Sequence, residues 1–257
     1  MCSLIQNCSD GGENKVIYCT AIDQTITKFP EDGFRLVKYG SDEYRLDIVS
    51  IIPDINLINF DKVNLCLKTV IESGNVGNFL FNNDYKTACS LQETKPVSVL
   101  IVTYKVKKDG TLTKKLSYGK AIAKRLSHED FIHASDKQII LNNIKFAVNN
   151  ILLYEKRLAR DLYNHHKKIL VDYGESAWVV AILCDMFNHQ CRKVAKKINS
   201  PYFFIDRRLS KIVSDSYGKF SQPLRCPISL INTINIRQVM EGFPPIVTEK
   251  EMSRIII

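Results

Sequence analysis

A chain of 257 residues is long enough to bury a core of its own and fits one large domain or two small ones. With 45% hydrophobic and 25% charged residues it has the balance of a globular protein, and the lack of any visible repeat excludes a solenoid. The net charge of +9 is uneven: residues 1–62 carry ten acidic and six basic residues, 105–125 carry eight basic residues against Asp109, and 191–211 carry seven against Asp206. That distribution suits a protein that meets a polyanion beside a carboxylate cluster.

In chain order, Val16–Ile22 reads as a buried strand. Phe34–Tyr39 and Glu43–Pro53 read as two more, joined through the turn residues Gly40, Ser41 and Asp42. Asp61–Ser73 has apolar residues at helical spacing and stops near Gly74. Pro96–Lys107 and Thr111–Lys124 form a strand pair around Asp109-Gly110, a strong hairpin signal. The pattern then turns helical. Ser127 with Asp130 caps a short helix, and Ser135 with Gln138 starts a long one reaching about Asn164. Further helices are expected over Glu175–Ile198, after Pro227, and at the C-terminus behind Thr248 and Glu251. Strands first and helices after predict an α+β fold, and no linker divides it.

The eight cysteines are scattered without a CxxC pair, and MCSLIQNCSDGG has no apolar core of the kind a secretory signal needs. Free thiols in a reducing intracellular compartment are expected. Cys184, His189 and Cys191 lack a fourth zinc ligand. The apolar run Ala177–Cys184 is too short to cross a bilayer, so no membrane partner is expected. The other histidines, His128, His133, His165 and His166, lie near expected helix ends, where surface roles are commonest. No Ser-His-Asp set, phosphate-cradling glycine loop or dinucleotide motif is present.

Toward the C-terminus, Tyr217–Arg225 reads YGKFSQPLR and continues CPISLIN. Earlier landmarks are TAID at Thr20–Asp23, an acidic turn with Glu31 and Asp32, a strand at Tyr44–Ile52, and Cys89-Ser90-Leu91. After these come the Asp109-Gly110 hairpin and an apolar helix at Val180–Asn188. In this order they resemble the ribonuclease II-type (RNB) exoribonuclease domain, whose site closes with Y-x-H-F-T-S-P-I-R-R-Y-x-D-L-x-N-H-R. Tyr217, Phe220, Pro223, Arg225, Leu230 and Asn232 match that segment. The resemblance implies an N-terminal tail at 1–15, an RNB-like domain at 16–242 and a C-terminal extension at 243–257. The domain should be a single unit in which an N-terminal, mostly antiparallel sheet packs against C-terminal helices. It is shorter than the family around Asn164–Glu175 and Phe203–Tyr217, and leaves no room for flanking cold-shock and S1 domains.

The family works with two Mg²⁺ ions held by four aspartates, which requires tight placement of the carboxylates. Counting on from Asp23, the other three positions fall at Phe29, Glu31 and Asp32. Phe29 deletes a ligand and Glu31 lengthens one, so the resemblance implies Mg²⁺ held weakly by Asp23, Glu31 and Asp32. Glu31 and Arg225 carry what catalytic role remains. Arg225 matches the arginine that clamps the phosphate, a task suited to a guanidinium fork. Cys226, Pro227 and Ser229 stand where the family has Arg, Tyr and Asp, and Ala181 and Ile182 replace two glutamates. Without the family, Glu31 and Asp32 read as a polar turn.

The expected function is therefore an RNB-like protein without efficient nuclease activity, an impaired or inactive 3′–5′ exoribonuclease that binds single-stranded RNA or acts as a scaffold for a protein partner. RNA would meet Tyr104, Lys107, Lys108, Lys114 and Lys115 on the hairpin, together with Arg225. Tyr118 is a second stacking candidate beside Tyr104, and ordinary strand aromatics are the alternative for both. A weak Mg²⁺- or Mn²⁺-dependent exoribonuclease is one alternative function, and Phe29, Cys226 and Pro227 argue against it. A protein-interaction module without RNA is another.

Overall fold

The computed structural model describes residues 16–23, 29–40, 42–59, 61, 63, 81–127, 137–154, 178–203 and 218–256. Most of the helix expected at Asp61–Ser73, the short helix behind Ser127, the ends of the long helix near Ser135 and Asn164, and Tyr217 lie outside the described residues.

Five strands follow the alternating pattern: β1 (Val16–Asp23), β2 (Asp32–Lys38), β3 (Tyr44–Ile51), β4 (Val97–Val106) and β5 (Leu112–Ser127). The β4–β5 turn is closed by Lys107 N–H donating to the Thr111 carbonyl at 3.0 Å. Gly110 takes φ +81°, which glycine adopts without strain. Neighbouring strands pair antiparallel from β1 to β5. One long-range pairing then changes the architecture. β1 lies parallel to β5 from Val16↔Lys120 to Asp23↔Ser127, so the expected sheet closes into a five-stranded barrel without edges.

Closure gives each strand an inside and an outside. Odd-numbered residues such as Cys19, Ala21, Val49, Ile51, Val99, Ile101 and Ala121 fill the barrel, joined from one end by Leu91 and Leu224. Even-numbered residues on β2, β3 and β4, among them Phe34, Leu46, Ile48, Leu100, Val102 and Tyr104, face outward. They pack against α2 (Lys137–Tyr154) and α3 (178–197) through Ile144, Val148, Ile151, Met186 and Phe187. A short helix, α1 (Asn83–Cys89), is capped by the Asn82 side chain, which accepts from Tyr85 N–H at 2.9 Å.

Helix α4 (Pro227–Met240) starts with Pro227 in its first turn and is buried along Pro227–Ile236. A helix buried all round must satisfy its polar side chains internally. Asn232 accepts from Phe203 N–H and donates to the Phe203 and Lys219 carbonyls. Thr233 donates to the Phe220 carbonyl, and Asn235 accepts from Ile246 and Val247 N–H. The last helix, α5 (Glu249–Ile256), packs Met252 with Val247 against Ile228 and Ile231. The Thr248–Glu251 capping box forms as the sequence suggests, with Glu251 accepting from Thr248 N–H at 2.7 Å.

Candidate active site

Glu31 and Asp32 sit where β2 begins, at the rim of the barrel. The antiparallel register Thr20↔Phe34 runs the end of β1 toward Glu31, three residues before Phe34, and brings the Asp23 backbone to this rim. The Asp23 side chain is outside the described set. Opposite stands the turn that precedes α4. Gln222 there has φ +62°, a left-handed conformation that strains a residue with a Cβ. Arg225 N–H closes the turn on the Gln222 carbonyl at 3.1 Å. Asn188 of α3 holds the turn from behind, accepting from Phe220 N–H at 2.7 Å and Ser221 N–H at 2.9 Å.

The turn offers its donors to the carboxylates. Arg225 Nε donates to Glu31 Oε1 at 2.5 Å, and Leu224 N–H donates to Glu31 Oε2 at 2.5 Å. Gln222 N–H reaches Asp32 Oδ1 at 3.4 Å, and Cys184 Sγ of α3 lies 3.7 Å from Asp32 Oδ2. Three sequence candidates, Glu31, Asp32 and Arg225, thus share one cluster although about 190 residues separate the carboxylates from the turn.

Electrostatics follow from burial. Glu31 is 1% exposed. Burial, with Asp32 adding to it, pushes its carboxyl up to about 7 despite Arg225 and Leu224 N–H favouring the anion. Burial also raises Asp32, opposed by Ser50, Arg225, Gln222 and Lys219. Burial works against the Arg225 cation, but Glu31 and Asp32 outweigh it and hold the guanidinium above the ordinary arginine value. The Cys184 thiol is pushed well above its usual value by burial and by Asp32, so it is an inert neighbour.

Mg²⁺ needs oxygen ligands in near-octahedral order at ~2.0–2.1 Å. Both Glu31 oxygens are already engaged by protein donors. Phe29, where the resemblance expects a carboxylate, presents a ring with the Lys86 ammonium 5.9 Å from its centroid. Among the described residues no group of three or more His, Cys, Asp or Glu side chains is placed to hold a metal. The described residues, which leave out the Asp23 side chain, thus assemble no site for the weakly held Mg²⁺ that the resemblance implied.

The fold matches that of an active-site mutant of the exoribonuclease Dss1 from Candida glabrata, with a TM-score of 0.64 at 10% identity, over 94% of this chain and 42% of that one. It also matches yeast Ssd1, a pseudonuclease, with a TM-score of 0.51 at 11% identity, over 71% of this chain and 25% of that one. The fold is RNB-like. The chain spans less than half the length of either protein. No family model matches the chain, and no curated protein matches it.

In this RNB-like frame the hairpin residues fall into two groups. Lys107 and Lys108 at the tip and Lys114 and Lys115 on β5 are exposed. Burial and the nearby Lys193 ammonium of α3 lower the Lys114 pKa, so the two basic stretches of the sequence meet here. They do not rim the carboxylates. The Asp32 row passes through Ser50 to Leu100, and the tip begins beyond Val106, about 20 Å along β4. Tyr104 corrects the sequence reading. It is 1% exposed, and its hydroxyl donates to the Met186 carbonyl at 3.0 Å, so α3 covers the ring and no base can stack on it. Sequence reasoning also passed over Gln222 and Lys219, and weighed Cys184 only beside His189 and Cys191. Only the positive φ of a non-glycine residue marks Gln222, and no sequence pattern reports that.

Proposed function

We propose that this chain is an RNB-like pseudonuclease that binds single-stranded RNA without degrading it efficiently. The carrying observation is that Glu31 holds Arg225 and Leu224 N–H with its two oxygens. An arginine closed on a buried carboxylate is a structural ion pair, and it is poorly placed to meet a phosphate. Phe29 supports the same reading, as do Ala181 and Ile182 at the family's glutamates. Cys226 and Pro227 have become the start of α4, with Pro227 suited to a first helical turn. The unit is taken over 16–242, and the segment after it packs onto α4 through Val247 and Met252. The free thiols Cys19, Cys89, Cys184, Cys191 and Cys226 suit a reducing compartment inside the cell.

The test is purified protein with 5′-labelled poly(A), in Mg²⁺ and separately in Mn²⁺. The expected outcome is no processive shortening. Shortening by the wild type that disappears in Arg225→Ala would establish the weak exoribonuclease instead. Filter binding across a salt series tests the other half, since phosphate contacts weaken steeply with salt. An RNA affinity too weak to detect at low salt would leave the protein-interaction module.

A further inference from the structure

Helices α2 and α3 cover the outward face of β2, β3 and β4, but the outward face of β1 and β5 carries large exposed side chains. Tyr18 is 54% exposed and Tyr118 is 39% exposed. The parallel register sets Tyr18 beside Ile122 and Val16 beside Lys120, with no bulge between. Tyr18, Tyr118, Lys120, Ile122 and Lys124 therefore stand on one surface. Tyr18 lies four residues further along β5 than Tyr118, about 13 Å. Lys120 and Lys124 are exposed between and beyond the two rings. No acidic side chain occurs among the described outward-facing residues of β1 and β5.

Tyr118 is also held in place. The Arg237 guanidinium of α4 lies 4.6 Å from its ring centroid, a cation–π contact. Arg237 donates to Glu241 at 2.5 Å and leaves its Nε–H without an acceptor among the described residues. An anchored ring keeps its conformational cost of stacking low. Because β1 and β5 pair with each other, the barrel offers no edge for a partner strand, and a ligand must lie on the face itself.

We infer that this β1–β5 face is a stacking platform for single-stranded RNA, with Tyr18 and Tyr118 each taking a base and Lys120 and Lys124 the phosphates between them. Two exposed aromatic rings with exposed lysines between and beyond them match the chemistry of single-strand binding, in which bases stack on π-faces and lysines track the backbone. The inference rests on the RNA-binding half of the proposed function and places that binding away from the Glu31–Arg225 cluster.

The experiment measures fluorescence anisotropy of a labelled 12-nucleotide oligo(A) in EDTA, across a salt series. Tyr18→Ala and Tyr118→Ala should each weaken binding about tenfold, and the phenylalanine variants should stay within about twofold. Lys120→Ala and Lys124→Ala should each reduce the salt slope by about one. A folded Tyr18→Ala/Tyr118→Ala protein that binds like wild type overturns the platform and leaves the RNA-binding reading standing. RNA shortening by wild type in Mg²⁺ overturns the pseudonuclease reading alone. No binding by wild type overturns both. If the alanine variants do not fold, ultraviolet cross-linking of wild type decides: adducts on Tyr18 or Tyr118 support the platform, and adducts confined to other residues overturn it.

Discussion

Two carboxylates lie buried against arginine in this barrel, and they are treated differently. Asp47 faces the interior from β3 and is 0% exposed. One of its oxygens accepts from Arg35 Nε at 2.9 Å and from Arg35 Nη2 at 2.6 Å. The other accepts from Arg45 Nε at 2.8 Å and Thr103 Oγ1 at 2.6 Å. Four donors compensate one buried charge. Glu31, at the barrel rim, has two donors and a second carboxylate, Asp32, beside it. Asp47 is a finished structural centre. Glu31 and Asp32 form an acidic pair with one cation, Arg225, drawn onto it.

The largest expected effect is at the finished centre. Asp47→Ala leaves Arg35 and Arg45 facing one another inside the barrel and should lower unfolding free energy by about 3–5 kcal/mol in urea denaturation. A loss below about 1 kcal/mol would erase the contrast with Glu31.

The next effect is a pH dependence that belongs to Glu31. Its folded-state value of about 7 exceeds the ordinary 4.5, so the folded protein binds the extra proton between these values. Stability from this group is therefore full below about pH 4.5 and is lost as pH rises through about 7. At 1.36 kcal/mol per unit, the wild type should lose up to about 3 kcal/mol relative to Glu31→Gln across that window. Parallel stability curves for the two proteins from pH 5 to 8 would show that Glu31 is ionised throughout and as well compensated as Asp47.

Smaller again is Glu31→Gln at pH 6. The amide oxygen can still accept from Leu224 N–H, and Arg225, 30% exposed, turns to water. The expected change is under about 2 kcal/mol, less than for Asp47→Asn under the same conditions. The reverse order in thermal melts would make the Glu31 pair the structural centre.

The smallest effect expected is a gain. Phe29→Asp with Glu31→Asp restores the carboxylate spacing of the resembled family, and trace cleavage of labelled poly(A) in Mn²⁺ should return. If none returns, the Cys226-Pro227 start of α4 blocks the site more than the carboxylate set does.

Much of this was legible before the fold. β1, β4 and the Asp109-Gly110 turn lie where alternation and turn chemistry put them, and the Thr248–Glu251 box and Pro227 mark helix starts. These signals act within a few residues, so sequence carries them directly. The meeting of Glu31 and Asp32 with Arg225 was reachable only through the resemblance to a known family. Barrel closure was not reachable. It depends on parallel pairing of β1 with β5, about a hundred residues apart, and no local pattern encodes that register.

The two tyrosines of the β4–β5 pair divide the matter most sharply. Composition and alternation determined that Tyr104 and Tyr118 point the same way, because the register aligns Tyr104 with Lys114 and Tyr118 with Leu100. Tertiary structure alone decided their roles. Met186 of α3 takes the Tyr104 hydroxyl and buries the ring, whereas Tyr118 lies against the flat of Arg237 and keeps 39% of its surface in water. A period of two tells which face a side chain takes, and only the packing of helices on that face tells whether it becomes core or surface.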